Sequence, residues 1–180
     1  MPKVWGFILS EGNALMADIY ISLGTNIERE HYLQLGLTAL FNTFGKLTLS
    51  SLFESEAVGF DGPAFYNMVI GVTTEQTIEQ VAKNLRQIEY DHGRALNAEK
   101  YSPRTLDLDL LLYDDLILQQ PTQIPRDEIT KNAFVLWPLA EIAGNEIHPV
   151  NKQSYQQLWQ NYDKNYQQLR KMPFTWQGTL

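Results

Sequence analysis

Between Thr105 and Tyr113 the chain reads Thr-Leu-Asp-Leu-Asp-Leu-Leu-Leu-Tyr. Side chains along a strand point alternately to opposite faces. Leu106, Leu108, Leu110 and Leu112 are therefore expected on one side, and Asp107 and Asp109 on the other. At a rise of about 3.3 Å per residue the two aspartate Cβ atoms would lie about 6–7 Å apart. The segment thus predicts a strand with one face for a core and one for polar work.

The rest of the chain supplies that core. Ile19–Leu23 is rich in strand formers and stops at the turn cluster Gly24-Thr25-Asn26. From Glu28 to Phe44 apolar residues recur at Leu33, Leu37, Leu40, Phe41 and Phe44, a one-sided helical spacing closed by Gly45. Lys46–Phe53 reads as a strand, Ser55–Pro63 as a loop and Phe65–Thr73 as a strand. Thr77 and Gln80 fit a capping box, opening a helix with the stripe Ile78, Val81, Leu85 and Ile88 that closes at His92-Gly93. Arg94–Pro103 reads as a polar loop, and Asp114-Asp115 turns the chain toward Leu116–Leu118. Asn132–Ala143 is apolar, with a short helix expected beyond Pro138. A last amphipathic helix is expected over Ser154–Arg170, carrying Leu158, Tyr162, Tyr166 and Leu169. The order β-α-β-β-α-β predicts an α+β fold with a ferredoxin-like core, an antiparallel sheet with helices packed on it.

A length of 180 residues fits one domain. Met16 stands just before the first strand, so residues 1–15 are expected to be an extension outside the core, and residues 16–180 a single domain. The apolar run Val4–Leu9 is cut short by Glu11 with no small-residue cleavage site, which argues against a secretory signal. No stretch approaches the roughly 18 apolar residues of a membrane span, and a cytoplasmic protein is the default. The formal net charge of −7 disfavours nucleic acid and anionic lipid as partners. A phosphate-bearing partner must be drawn by local cations. The chain has no cysteine, which excludes disulfides, thiolate zinc sites and thiol nucleophiles. Small-molecule partners and a monomer are the simplest expectation.

Aspartate is disfavoured in strands, and two on one face repel, so the pair at 107 and 109 invites a cation. Magnesium suits it, taking one or two carboxylates and completing its shell with water and phosphate oxygens. Arg94, Lys100 and Arg104 lie just upstream, and arginine forks and lysine charges bind phosphate. Residue types and spacing point to metal-dependent phosphoryl transfer; the bland alternative is a solvated strand face. His31, His92 and His148 lack ligand spacing and are expected at the surface.

The segment Pro103-Arg104-Thr105-Leu106-Asp107-Leu108-Asp109, followed by an aliphatic run, resembles the signature of 6-hydroxymethyl-7,8-dihydropterin pyrophosphokinases of folate biosynthesis. Ile21–Asn26, Phe65-Tyr66-Asn67, Ile88-Glu89 through Gly93-Arg94, and Phe134–Leu139 are similar to other parts of that family in order and spacing. The likeness runs from about Ile19 to Ile147. It implies transfer of pyrophosphate from ATP to the pterin hydroxymethyl group, with two magnesium ions on Asp107 and Asp109. It implies Arg94 and Arg104 on the transferring phosphates, as catalytic residues with the two aspartates. Glu89, Lys100, Tyr101, Leu110 and Arg126 would complete the ATP site. Asn67 would bind the pterin edge, Phe134 and Phe65 would stack on its ring, and Ser55 and Val58 would contribute backbone groups.

The pattern breaks in several places. Leu96 and Asn132 stand where the family has arginines, Tyr101 where it has tryptophan, and Arg126 where it has a nucleotide-contacting histidine. Ser102 replaces a glycine, Glu56 a proline, and Pro121 a basic residue. These departures leave two alternatives open: a weak or inactive paralogue that binds a pterin or nucleotide, and a transferase for another hydroxymethyl-pterin.

Overall fold

The computed structural model describes residues 15–57, 61–93 and 105–178. Strand β1 (Ala17–Thr25) buries every second residue, and Ala17, Ile19, Ile21 and Leu23 enter one apolar cluster. Such a strand needs partners on both edges. It pairs antiparallel with β4 (Phe65–Thr74) on one side and β5 (Asp107–Tyr113) on the other. The sheet continues in the order β5-β1-β4-β3-β6, with β3 at Leu52–Ser55 and β6 at Leu169–Met172. The short β2 (Thr48–Leu49) pairs with β4 as well. With β2 and β3 taken as two halves of one strand, this is the βαββαβ core that the order of elements predicts.

Two helices cover one face. The stripe Leu33, Leu37 and Leu40 of α1 (Arg29–Phe44) is buried there, as are Ile78, Val81, Leu85 and Ile88 of α2 (Ile78–Asp91). The capping box forms: the Thr77 hydroxyl accepts from the Gln80 amide at 3.3 Å, and the Gln80 side chain accepts from the Thr77 amide at 2.8 Å. The short α3 (Glu128–Lys131) leads into α4 (Ala133–Ala143), which with α5 (Tyr155–Asn161) covers the other face. A second cluster forms there, built from Val69, Leu111, Leu112, Ile129, Val135, Leu136, Leu139, Ala143 and Tyr155.

Several expectations need correction. The strand expected over Lys46–Phe53 is broken at Ser50, whose hydroxyl accepts the Val69 amide at 2.9 Å while its own amide donates to the Val69 carbonyl. A side chain takes the place of a backbone partner, and the ladder resumes at Leu52. The leucine alternation also slips. Ile21 pairs with Leu110 and Tyr20 with Leu112, so Leu111 is an extra residue in a bulge. Leu112 is thereby turned into the second cluster, away from Leu106, Leu108 and Leu110.

α4 starts at Ala133 and runs through Pro138 instead of beginning beyond it. The proline removes one helical bond, but Val135, Leu136 and Leu139 are all buried around it. The last helix ends at Asn161. Asp163 then forms a turn, accepting the Asn165 amide on its side chain and the Tyr166 amide on its carbonyl. Residues Leu169–Met172 pair with the edge of β3 instead of extending the helix, and Tyr166 is 71% exposed. The free backbone of an edge strand outweighed a weak helical stripe. His148 is buried, with the Val150 and Asn151 amides donating to its Nδ1.

Candidate active site

The bulge at Leu111 leaves Asp107 and Asp109 on the face opposite the first cluster, both half-buried. The register then carries that face across the sheet. Asp107 lies opposite Gly24, Gly24 opposite Asn67, and Asn67 opposite Phe53. Asp109 lies opposite Ser22, and Ser22 opposite Val69. With strands about 4.8 Å apart, the Asp107 and Asn67 backbones are separated by about 10 Å. Gly24 places no side chain between them. A Cβ at that position would meet Asn67 Oδ1 and Phe65 Cδ1, each at 3.7 Å, so both groups lean over the glycine.

Asn67 is buried, and its Nδ2 donates to Ser55 Oγ at 2.6 Å. That bond orients the amide with Oδ1 toward Gly24. Phe134, in the first turn of α4, is half-buried and packs on the second cluster, which holds Val69 and Leu111 of the same sheet face. Phe53 is fully buried, and its ring begins a stack: Trp137 lies 4.7 Å from it, Trp159 5.0 Å from Trp137, and Tyr162 5.7 Å from Trp159. The aromatic wall therefore extends from the Asn67 row outward.

Polar residues fix the approaches to this face. Asn26 Nδ2 donates to the Pro63 carbonyl at 3.2 Å, and Arg29 Nη1 donates to the Ala64 carbonyl at 3.2 Å. Arg29 also pairs with Glu54 at 2.9 Å and lies 4.0 Å over the Tyr66 ring. The chain is thus tied down just before Phe65. At the start of β5, Thr25 Oγ1 donates to the Thr105 carbonyl at 2.5 Å, and Thr105 Oγ1 donates to the His92 carbonyl at 2.6 Å. The described ends flanking residues 94–104 therefore meet two residues before Asp107. Sequence reasoning treated Thr25 and Asn26 only as a turn. Both are buried polar residues, and a polar pair directly after an apolar strand was the available signal.

Arg126 completes the face. Its amide donates to the Leu111 carbonyl at 3.0 Å, which anchors it at the bulge. Nη2 donates to Asp109 Oδ1 at 2.8 Å and Nη1 to Thr122 Oγ1 at 3.2 Å, while Nε lies 3.4 Å from Glu128 Oε2. Asp109 thus already receives a positive group from the chain itself. Among the described residues no three or more His, Cys, Asp or Glu side chains gather into a metal cage. A carboxylate pair of this kind suits a hard divalent ion that draws its other ligands from water and phosphate oxygens.

A sequence model of the 7,8-dihydro-6-hydroxymethylpterin-pyrophosphokinase (HPPK) family matches residues 20–144. The chain belongs to this family. It is 31% identical over 138 residues to the 2-amino-4-hydroxy-6-hydroxymethyldihydropteridine pyrophosphokinase of Aquifex aeolicus, covering 75% of this chain and 86% of that one. The Haemophilus influenzae protein of the same name is 34% identical over 140 residues, at 74% and 86% coverage. Folic acid synthesis protein fol1 of Pneumocystis carinii is 36% identical over 148 residues, but the match spans 80% of this chain and only 20% of that longer protein. Among solved structures, the HPPK-DHPS chain of Plasmodium falciparum shares the fold with a TM-score of 0.68 at 15% identity, over 87% of this chain and 47% of that one.

Against the HPPK pattern, Asp107, Asp109, Ser55, Phe65, Asn67, Phe134 and Arg126 gather on one sheet face. Glu89 does not: from α2 it accepts the Leu108 amide at 3.3 Å on the outer edge of β5, and it is 5% exposed. Leu110 points into the first cluster, so its side chain faces away from the aspartates. Val58, Arg94, Leu96, Lys100, Tyr101 and Arg104 lie outside the described residues. Asn132, which the resemblance sets at an arginine position, accepts from Gln167 Nε2 at 2.9 Å, and Gln167 Oε1 accepts the Ala133 amide at the start of α4. That position is used here to hold the C-terminal segment. No helix among the described residues is long and apolar enough to cross a membrane.

Proposed function

We propose that this chain transfers a pyrophosphoryl group from ATP to the hydroxymethyl group of 6-hydroxymethyl-7,8-dihydropterin, releasing AMP, in folate biosynthesis. The observation that carries the reading is the row Asp107–Gly24–Asn67, which sets a carboxylate and a buried amide about two strand spacings apart on one sheet face, with Asp109 beside Asp107 in the row of Ser22. The pterin edge meets Asn67, whose amide is held by Ser55. Its ring lies against Phe134 and Phe65, and backbone groups around Ser55 and Val58 complete its recognition.

The ATP polyphosphate lies along β5 toward Arg126, with Arg94, Lys100, Tyr101 and Arg104 contributed by the adjoining segment. Asp107 and Asp109 would hold two magnesium ions, which when bound would neutralise charge on the polyphosphate and favour ionisation of the pterin hydroxyl. The pterin hydroxymethyl oxygen bonds to the β-phosphorus, the bond from that phosphorus to the α,β-bridging oxygen breaks, and AMP carries the electron pair away. The protein contributes orientation and positive charge around a transfer that needs no covalent enzyme intermediate. In this reading the chain acts on small molecules as a cytoplasmic monomer.

The test is incubation with magnesium, ATP and hydroxymethyl-dihydropterin, with nucleotide products resolved by chromatography. AMP in step with pterin consumption is expected, and Asp107→Asn and Asp109→Asn should each remove it while circular dichroism stays unchanged. ADP as product, or no nucleotide turnover at all, would contradict the proposal.

A further inference from the structure

The Arg126 guanidinium is held on three sides, by Thr122 Oγ1, Asp109 Oδ1 and Glu128 Oε2, and its backbone is fixed to the Leu111 carbonyl. The Asp109 contact, at 2.8 Å, is the shortest of the three. The side chains are partly shielded, at 26% exposure for Arg126 and 32% for Asp109. A divalent ion and this guanidinium therefore seek the same oxygen. Both cannot hold it at full strength, because two positive groups within about 4 Å repel each other appreciably in a partly desolvated site. A bound triphosphate changes the balance, since its oxygens offer the arginine another anionic partner at the same place.

We infer that Arg126 is a built-in counter-ion that competes with the divalent cation for Asp109 and is released to the polyphosphate when metal and nucleotide bind together. The inference rests on the metal-nucleotide reading of this face and goes beyond it. Arg126 acts as a positioning residue that makes metal affinity depend on nucleotide. Linkage then requires the reverse as well: metal raises nucleotide affinity by the same factor. A neutral residue at 126 would weaken that coupling. A partly exposed ion pair of this kind weakens a competitor by a modest factor, about threefold or more.

The experiment is direct titration of the whole chain with Mn2+, followed by electron paramagnetic resonance of the free ion, without nucleotide and with a non-hydrolysable ATP analogue. Arg126→Gln is expected to tighten nucleotide-free Mn2+ binding by about threefold or more and to shrink the ratio of affinities with and without the analogue. Arg126→Lys, which keeps the charge and loses the fork, should fall between the variant and the wild type. Thermal melts identify any loss of fold in Arg126→Gln, in which case Arg126→Lys alone must still tighten Mn2+ binding. Unchanged or weaker nucleotide-free Mn2+ affinity in the folded variants overturns the inference, as does Mn2+ binding to neither variant nor wild type. Tighter Mn2+ binding in Arg126→Gln, alongside wild-type protein that releases no AMP with the pterin, would sustain the ion-pair competition and remove the proposed activity instead.

Discussion

Ser55 and Asn67 lie on adjacent strands with both side chains buried, and the 2.6 Å bond between them sets how the asparagine presents itself. Replacing Ser55 by alanine leaves the amide hydrogens of Asn67 without that acceptor and frees the group to rotate. The loss of one such bond is worth about 1–1.5 kcal/mol. Ser55→Ala should therefore raise the Michaelis constant for the pterin by about fivefold to tenfold with little change in kcat. Steady-state kinetics check it, and an unchanged constant would remove Asn67 from pterin binding. At this scale the sequence was readable where residue type and period coincide. Asp107 and Asp109 fall on one face because the strand period is two, and they precede the bulge that displaces Leu112. The Arg126–Asp109 contact was not readable, since nothing local links residues that meet only through the fold.

The turn between α4 and α5 depends on a histidine that pattern reading placed at the surface. Burial lowers the pKa of His148 from the ordinary value near 6.5, and protonation at Nδ1 would break the bonds from the Val150 and Asn151 amides. The unfolded chain takes up a proton near the ordinary value, whereas the folded chain resists until lower pH. The stabilisation from the neutral ring is thus complete above about pH 6.5 and is lost as pH falls through the folded pKa. Denaturant unfolding between about pH 7 and pH 5 should show wild-type stability falling, with a flatter dependence in His148→Asn, whose side chain stays neutral. Equal slopes would exclude His148 from the linkage. Helices α1 and α2, whose leucine and isoleucine spacing marks a buried side, were legible in the sequence, and so were β1 and β4. Two elements escaped, the short α3 and β6. Leu169–Met172 has no strong strand pattern and becomes a strand because β3 offers a free edge.

Across the whole molecule, the fold divides its labour between two faces of one sheet. One face buries the larger cluster beneath α1 and α2, and the other carries the acidic pair, the amide and the aromatic wall beside α4. A chain with net charge −7 gains nothing from long-range attraction to a polyphosphate. Its nucleotide must be held by local cations and by ions bound to Asp107 and Asp109. The decisive measurement is Mn2+ binding in the presence of α,β-methylene ATP, compared among wild type, Asp107→Asn and Asp109→Asn. The account predicts that each variant loses affinity for the ion by about tenfold or more, the least that even outer partners of a metal site cost, with the fold intact by circular dichroism. Wild-type affinity in both folded variants would contradict it.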